Sequence, residues 1–348
     1  MRIAFFTETF LPRVDGIVTR LTHTIEELQR AGDKVLVVAP GNVGLPAEYA
    51  GARVTPLPAM PFPLYPDWRL AAPLLPARGR SELAAFAPDV IHTLSPFAVG
   101  VGAITYARRH AKPLVASYHA NIALYTRHYH MGLFEGVMWR YLRLLHSYAD
   151  LTLCTSRPVQ TMLQTHGFPP AELWLPGVDT TLFHPSRRSA AWRARLSDDQ
   201  PDAPLLLYVG RLASEKSLER LLPALHALPA CRLALVGNGP DTGKLRRMFT
   251  GWPVTFVGAL AGEELAAAYA SADIFVLPSS SETLGLAAIE AMASGVPVVG
   301  ARRGGLLDTV RDGETGLLFD PDAPESPDGL IPTLRRLIEH PNERQRMG

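Results

Sequence analysis

The chain is short of cysteine. Cys154 and Cys231 are its two thiols, they share no Cys-x-x-Cys or Cys/His spacing, and both fall in runs that read as buried strands. A disulfide framework and a thiolate metal site are therefore excluded, and the pair reads as small apolar core residues of a reducing compartment. An excess of charge is also lacking: 34 Lys plus Arg against 33 Asp plus Glu leave a net charge of +1. That balance argues against a polyanion-binding protein as a whole and supplies no nucleic-acid recognition module. No apolar run reaches the roughly 18–20 residues of a membrane helix. The N-terminus, MRIAFFTETF, passes from a strand straight into a polar loop without a secretory core or cleavage site. The expected location is the cytoplasm, with peripheral attachment to the inner face of the membrane as the variant of that reading. A glycine-spaced nucleotide fingerprint is missing as well. The loop TETFLPRVDGIV offers only Gly16 where G-x-G-x-x-G would stand, and GNGPDTG has Gly237 and Gly239 but Thr242 at the third place. Nicotinamide-dependent hydride transfer is disfavoured on that ground.

What the chain does have is a repeated alternation of strand and helix. Its 348 residues, 47% of them hydrophobic, suit two cored domains. Strands are expected at Arg2–Thr7, Lys34–Ala39, Arg53–Leu57, Val90–Thr93, Pro113–Tyr118, Leu151–Thr155 and Leu173–Leu175. A second set is expected at Leu205–Val209, Arg232–Val236, Val254–Val257, Ile274–Leu277, Val296–Gly300 and Gly316–Phe319. Runs such as KVLVVAP are apolar throughout rather than alternating, as parallel strands covered on both faces require. Ile17, Val18, Leu21, Ile25 and Leu28 share one helical face ahead of Gly32, a suitable C′ residue. The polar, proline-containing stretch Asp179–Ala203 reads as the interdomain connection. The fold class is thus α/β, with two Rossmann-like doubly wound parallel sheets, in domains 1–182 and 183–348, facing across a cleft.

The loops at the strand carboxyl ends carry the candidate chemistry. Gly16 precedes a helix, where its N–H either approaches an anion or simply makes a tight turn. Strand Leu205–Val209 delivers Gly210, Arg211, Glu215 and Lys216 ahead of a helix. Two cations at that position suit a diphosphate and the charge developing on a departing phosphate, and the plain alternative is a solvated pair with Glu215 as partner. After strand Ile274–Leu277, Glu282 and Glu290 form E-x7-E across a loop–helix transition whose start is Leu284-Gly285-Leu286. Helix N–H groups there suit an anion, and the carboxylates suit sugar and ribose hydroxyls. Their plain reading is a dipole-complementing charge and a surface helix residue. His119, just past strand Pro113–Tyr118, is placed for hydrogen bonding or proton transfer as a neutral imidazole.

Taken together, the loop at Asp15–Gly16, His119, GVDTTLFHP (Gly177–Pro185), GRLASEK (Gly210–Lys216), GNGP (Gly237–Pro240) and E-x7-E followed by EAMASGVPVV resemble the retaining glycosyltransferases of family 4, of GT-B fold. The stretch from SYHAN to WRYLRLLHSYADLTLCTS resembles the branch of sulfoquinovosyl-diacylglycerol synthases and lipid mannosyl- and glucosyltransferases. The resemblance implies a hexosyltransferase that uses a UDP- or GDP-linked sugar as co-substrate, with no cofactor and no metal. It implies that Arg211 and Lys216 bind the donor diphosphate, Glu282 the sugar hydroxyls, Glu290 the nucleotide ribose, His119 the sugar near its 6-position and Gly16 the phosphates. Leu284 stands where the family commonly has Phe. The chain ends at HPNERQRMG, where relatives usually continue to a helix that crosses back onto the first domain, so that crossover helix is expected to be missing.

A lipid or sugar acceptor is expected, with an anionic membrane surface as partner. Residues 105–148 contain Arg108, Arg109, Lys112, Arg127, Arg140 and Arg143 against the single acid Glu135, interleaved with Tyr125, Tyr129, Phe134, Trp139 and Tyr141. In the helix expected from Phe134, the residues Val137, Met138, Tyr141, Leu145 and Tyr148 fall on one face, with Arg140 and Arg143 off it. That pattern suits either membrane docking or a core-facing helix with a solvated basic back. Two other functional readings stand beside the transferase: a related GT-B enzyme, either a nucleotide-sugar epimerase or a phosphorylase, and an inactive sugar-nucleotide-binding scaffold.

Overall fold

The computed structural model describes residues 1–13, 15–62, 65–124, 132–324 and 326–348. The chain divides into two compact units, Met1–Leu175 and Pro176–Gly348, a division ahead of the 182/183 boundary read from the sequence.

Unit 1 contains β1 (Arg2–Thr7), β2 (Lys34–Pro40), β3 (Glu48–Tyr49), β4 (Ala52–Leu57), β5 (Ala59–Phe62), β6 (Tyr65–Ala71), β7 (Val90–Leu94), β8 (Leu114–Tyr118), β9 (Leu151–Cys154) and β10 (Ala171–Leu173). Eight of these form one sheet in the order β10-β9-β8-β7-β1-β2-β4-β3. Every pair is parallel except β3 with β4. Alternate residues of the apolar runs enter different cores: Ala4, Phe6, Leu36 and Val38 pack in one, Ile3, Phe5, Val35 and Val37 in the other. Period-two geometry on a doubly covered sheet demands this, and it explains why those strands show no polar alternation. The helix Gly16–Arg30 is capped by Asp15, whose Oδ1 accepts from the N–H groups of Ile17 and Val18. It ends in a Schellman arrangement, with Gly32 at φ +84° and the N–H groups of Gly32 and Asp33 on the carbonyls of Gln29 and Leu28.

Unit 2 is a six-stranded parallel sheet, β13-β12-β11-β14-β15-β16. Its strands are β11 (Leu205–Val209), β12 (Arg232–Val236), β13 (Val254–Gly258), β14 (Ile274–Leu277), β15 (Val298–Ala301) and β16 (Gly316–Phe319). One continuous core embeds it. In each unit the strand order reverses once: between β1 and β7 in unit 1, and between β11 and β14 in unit 2. Crevices beyond the carboxyl ends of strands at such reversals are where doubly wound sheets hold ligands.

Several expectations need correction. The strand placed at Leu173–Leu175 is Ala171–Leu173; Trp174 and Leu175 lie beyond it, and their carbonyls accept from the Arg20 guanidinium. The β5–β6 hairpin, a separate two-stranded antiparallel sheet, was not expected, because its prolines mark a non-strand in a larger sheet yet are tolerated where every strand is an edge. The stretch Asp179–Ala203 is no loose connection: it carries the helix Ala190–Leu196 inside unit 2. There the buried Arg193 pairs with Asp273 at 2.7 Å and donates to the carbonyls of Pro201, Ser271 and Ala203. Polarity in that stretch is satisfied within the fold rather than by water. Among the described residues no helix is long and apolar enough to cross a membrane.

Candidate functional site

In unit 2 the loops after β11 and β14 meet at the strand-order reversal. Ser279 and Ser281 both donate to the Glu215 carbonyl at 3.1 Å, so one loop is latched to the other. The latch places Lys216 Nζ 2.6 Å from Glu282 Oε1. Arg211 pairs with Glu215, which is buried. Burial pushes the Glu215 carboxyl up, but Arg211, aided by Lys216, outweighs it and holds the group below its ordinary value. Lys216 sits in a 3₁₀ turn, Ser214–Lys216, and the α-helix begins only at Leu221. The expectation that the cations stand beside that helix N-terminus is corrected accordingly: the positive φ of Ser217, +52°, interposes a turn.

Glycines make this convergence of loops sterically possible. A Cβ on Gly237 would lie 1.9 Å from the Gly210 carbonyl oxygen, and one on Gly239 would lie 2.2 Å from that of Leu212. The GNGP segment therefore serves close backbone approach to the Arg211 loop. On the other side, a Cβ on Gly304 would lie 2.2 Å from the Glu282 carbonyl oxygen, and the Gly305 N–H donates to that same oxygen at 2.7 Å. The Gly304–Gly305 backbone thus packs on and holds the Glu282 carbonyl.

Helix Leu286–Ala293 follows, with Gly285 at φ +79° as its N-cap and no side chain capping it. Leu284 and Leu286 are half-buried. Glu290 is buried rather than a surface residue, and its Oε2 accepts from the Tyr269 hydroxyl at 2.8 Å. Burial pushes this carboxyl up to about 7, against the opposing hydrogen bond from Tyr269. The structure therefore brings Arg211, Lys216 and Glu282 together in two latched loops, with Glu290 on the helix that leaves the second.

In unit 1, Gly16 is exposed, and among the described residues a Cβ built on it would meet no heavy atom within 4 Å beyond its chain neighbours and its own helix backbone. Asp15 takes the N–H groups of Ile17 and Val18 and pairs with Arg13 at 3.1 Å, leaving Gly16 outside that capping pair. His119 is buried at the carboxyl end of β8. Its Nε2 lies 2.8 Å from Ser117 Oγ, which also meets His92 Nε2 at 2.9 Å. One hydroxyl proton cannot serve two imidazoles, so where Ser117 donates to one ring it accepts from the other. Burial, reinforced by Arg20 and the neighbouring histidines, holds His119 well below its ordinary pKa and therefore neutral. Burial and Arg20 bring His92 down to about 3. Trp174 stands against both rings, and the Arg20 guanidinium lies 4.0 Å from its centroid. Burial lowers Arg20 to about 10. Sequence reasoning passed over Arg20, His92, Ser117, Trp174 and the Ser279/Ser281 latch. Only the polar run SSSE hinted at the last of these.

The helix Glu135–His146 buries a face rotated from the apolar one read in the sequence, which suited either a bilayer or the core. Trp139, Leu142, Leu145 and His146 are buried, whereas Val137 and Tyr148 are exposed. Apolar residues occupy both faces, so periodicity alone could not choose between them. The aromatic Trp139, stacked on His166 and edge-on to Phe168, decides the orientation. Outside remain Leu133, Phe134, Val137 and Leu144 with Arg140 and Arg143. Tyr125, Arg127 and Tyr129 lie outside the described residues.

The description "Glycosyltransferase Family 4" matches residues 14–182, and "Glycosyl transferases group 1" matches residues 194–348. The chain is 41% identical to the sulfoquinovosyl transferase SQD2 of Arabidopsis thaliana, over 100% of this chain and 68% of that protein. It is 39% identical to a GDP-mannose-dependent alpha-mannosyltransferase of Mycolicibacterium smegmatis, over 100% of this chain and 91% of that one. Among solved structures it is similar to sucrose-phosphate synthase from Thermosynechococcus elongatus, with a TM-score of 0.78 at 24% identity, covering 99% of this chain and 92% of the other.

Proposed function

The chain belongs to glycosyltransferase family 4, and from that premise we propose that it moves a hexose, with retention, from a UDP- or GDP-linked donor to a hydroxyl of a lipid or glycolipid acceptor. The observation that carries this reading is the 2.6 Å contact between Lys216 and Glu282 in loops latched at the reversal of unit 2. A cation for phosphate and a carboxylate for sugar hydroxyls are then adjacent before any ligand arrives. An ammonium has three donors, so Lys216 can keep Glu282 and still meet a phosphate oxygen. Arg211, aligned by Glu215, supplies a planar fork to the same diphosphate.

In the reaction the bond between the anomeric carbon and the diphosphate oxygen breaks, and the acceptor oxygen bonds to that carbon on the face the phosphate leaves. The acceptor proton passes to the departing phosphate. Arg211 and Lys216 stabilise the charge that grows on that phosphate, assisted by the uncapped start of helix Leu286–Ala293. Glu282 orients the sugar and Glu290 the ribose. Charge neutralisation by two side-chain cations leaves a metal ion no required part in this scheme.

The lipid acceptor draws support from the outward stripe Leu133, Phe134, Val137 and Leu144 beside Arg140 and Arg143, a combination that suits an anionic bilayer surface. The test is a panel of UDP- and GDP-hexoses, each offered with diacylglycerol and with an alkyl glycoside in detergent, in the presence and absence of inorganic phosphate. A glycosylated product of retained configuration is expected. A free epimerised nucleotide sugar, a sugar phosphate, or binding without any turnover would replace this reading with an epimerase, a phosphorylase or a scaffold.

A further inference from the structure

The strand-order reversal of unit 1 holds a group of polar side chains that the reaction scheme above leaves unused. Glu8 directly follows β1 and is 6% exposed. Its Oε1 accepts from the N–H groups of Phe97 at 2.7 Å and Gly100 at 3.0 Å. It thereby caps helix Val99–Arg109, whose own N-cap, Ala98, supplies no side chain for the purpose. Capping uses one oxygen. The other, Oε2, is buried without a partner among the described residues, and so are Thr9 Oγ1 and Thr93 Oγ1. Thr93, near the end of β7, is a neighbour: a Cβ built on Gly100 would lie 3.3 Å from Thr93 Oγ1 and 3.9 Å from Glu8 Oε1.

A buried acceptor left unmatched costs about 1–3 kcal/mol, more for a charged one. Burial pushes the Glu8 carboxyl up to about 7, against the four N–H groups of residues 97–100 that favour its ionised form. A structural cap alone would leave Glu8 Oε2 and the Thr93 hydroxyl buried without partners among the described residues. The chemistry narrows the ligand. An anion is disfavoured because Glu8 already supplies the negative charge at this helix start. A neutral hydroxyl fits both kinds of group, donating to the carboxyl oxygen and accepting from a threonine.

We propose that Glu8 Oε2 and Thr93 Oγ1 receive a hydroxyl of the acceptor, making Glu8 a determinant of acceptor recognition. The inference rests on the glycosyl-transfer reading and adds its acceptor side. Oε2 lies below the surface, so this role requires the side chains that cover it to move aside for the hydroxyl.

Glu8→Gln tests this, because the amide oxygen keeps the cap while an NH₂ replaces the second acceptor oxygen; Thr93→Val removes the hydroxyl at constant shape. With a donor and acceptor that the wild type turns over, Glu8→Gln is expected to lower kcat/KM for the acceptor on the order of tenfold. Thr93→Val should act in the same direction. The donor KM and acceptor-independent hydrolysis of the sugar nucleotide should stay unchanged; neither variant should lower the unfolding temperature, and Thr93→Val, which removes a buried unmatched hydroxyl, should raise it. Unchanged acceptor kinetics in both variants, with transfer intact in the wild type, overturn the role of Glu8 alone. A wild type that neither transfers nor hydrolyses any sugar nucleotide sinks the transfer reading, and the role of Glu8 with it.

Discussion

Residues that carry charge in this molecule are set by what sits behind them. Arg211 is held by Glu215 and Lys216 by Glu282, so neither cation is a wandering surface charge. Lys216→Ala and Arg211→Ala should each lower turnover by about 10²–10³-fold, the usual cost of a donor lost at developing charge; steady-state rates check this, and undiminished rates in both would remove the assignment. Glu290 makes a different prediction. Its carboxyl, pushed up to about 7 by burial, loses its proton at 4.5 in the unfolded chain. Between those values the folded state binds the extra proton. The stability this contributes is complete below about 4.5 and is lost as pH rises through 7, an effect on the order of 3 kcal/mol. Glu290→Gln has no proton to lose, so its unfolding temperature should fall less over that interval than the wild type's; parallel curves would contradict the shift. As candidates, Arg211, Lys216, Glu282 and Glu290 were legible from their place at or just past strand ends and from the motifs of the family resemblance. Glu8 was not, because an acid in a polar loop reads as solvated until its burial is seen.

At the scale of elements, legibility followed burial on both faces. The bounds of β1, β11, β12, β14 and β16 agree with the apolar runs RIAFFT, LLLYV, RLALV, IFVL and GLLF, since a doubly covered parallel strand leaves no other place for such a run. Where side chains have two possible environments, the pattern misleads. The proline-bearing hairpin β5–β6 was not expected, and the polar residues, charges and prolines of Asp179–Ala203 made a stretch with a packed helix read as connection. The helix Glu135–His146 carries apolar residues on opposite faces, and the sequence pattern left open which of them meets the core. Its outward face yields a prediction of its own. Leu144→Asp and Val137→Asp should weaken binding to vesicles containing anionic lipid at low salt. Each side chain is exposed, so neither change should move stability by more than about 0.5 kcal/mol. Flotation with vesicles, alongside thermal unfolding, separates the two effects. Vesicle binding that survives both substitutions would assign the stripe to something other than a bilayer.

Across the whole molecule, two separately cored units each present a strand-order reversal with its own chemistry. The one in unit 2 offers cations and a carboxylate; the one in unit 1 offers a buried acid, hydroxyls and two neutral imidazoles. If the donor binds through Arg211 and Lys216, a matching sugar nucleotide at about a hundred times its Kd adds roughly 2.7 kcal/mol to the folded state. For a unit of this size that is a rise of roughly 5–10 °C in the transition it governs. Calorimetry across UDP- and GDP-hexoses should therefore single out one base by the size of the shift, and the shift should collapse in the double variant Arg211→Ala/Lys216→Ala. A chelator should leave it unchanged, because the diphosphate is neutralised by side chains fixed to the fold. A shift that survives loss of both cations, or vanishes with the chelator, would move the anion's counter-charge elsewhere and with it the reason for placing the donor at β11 and β14.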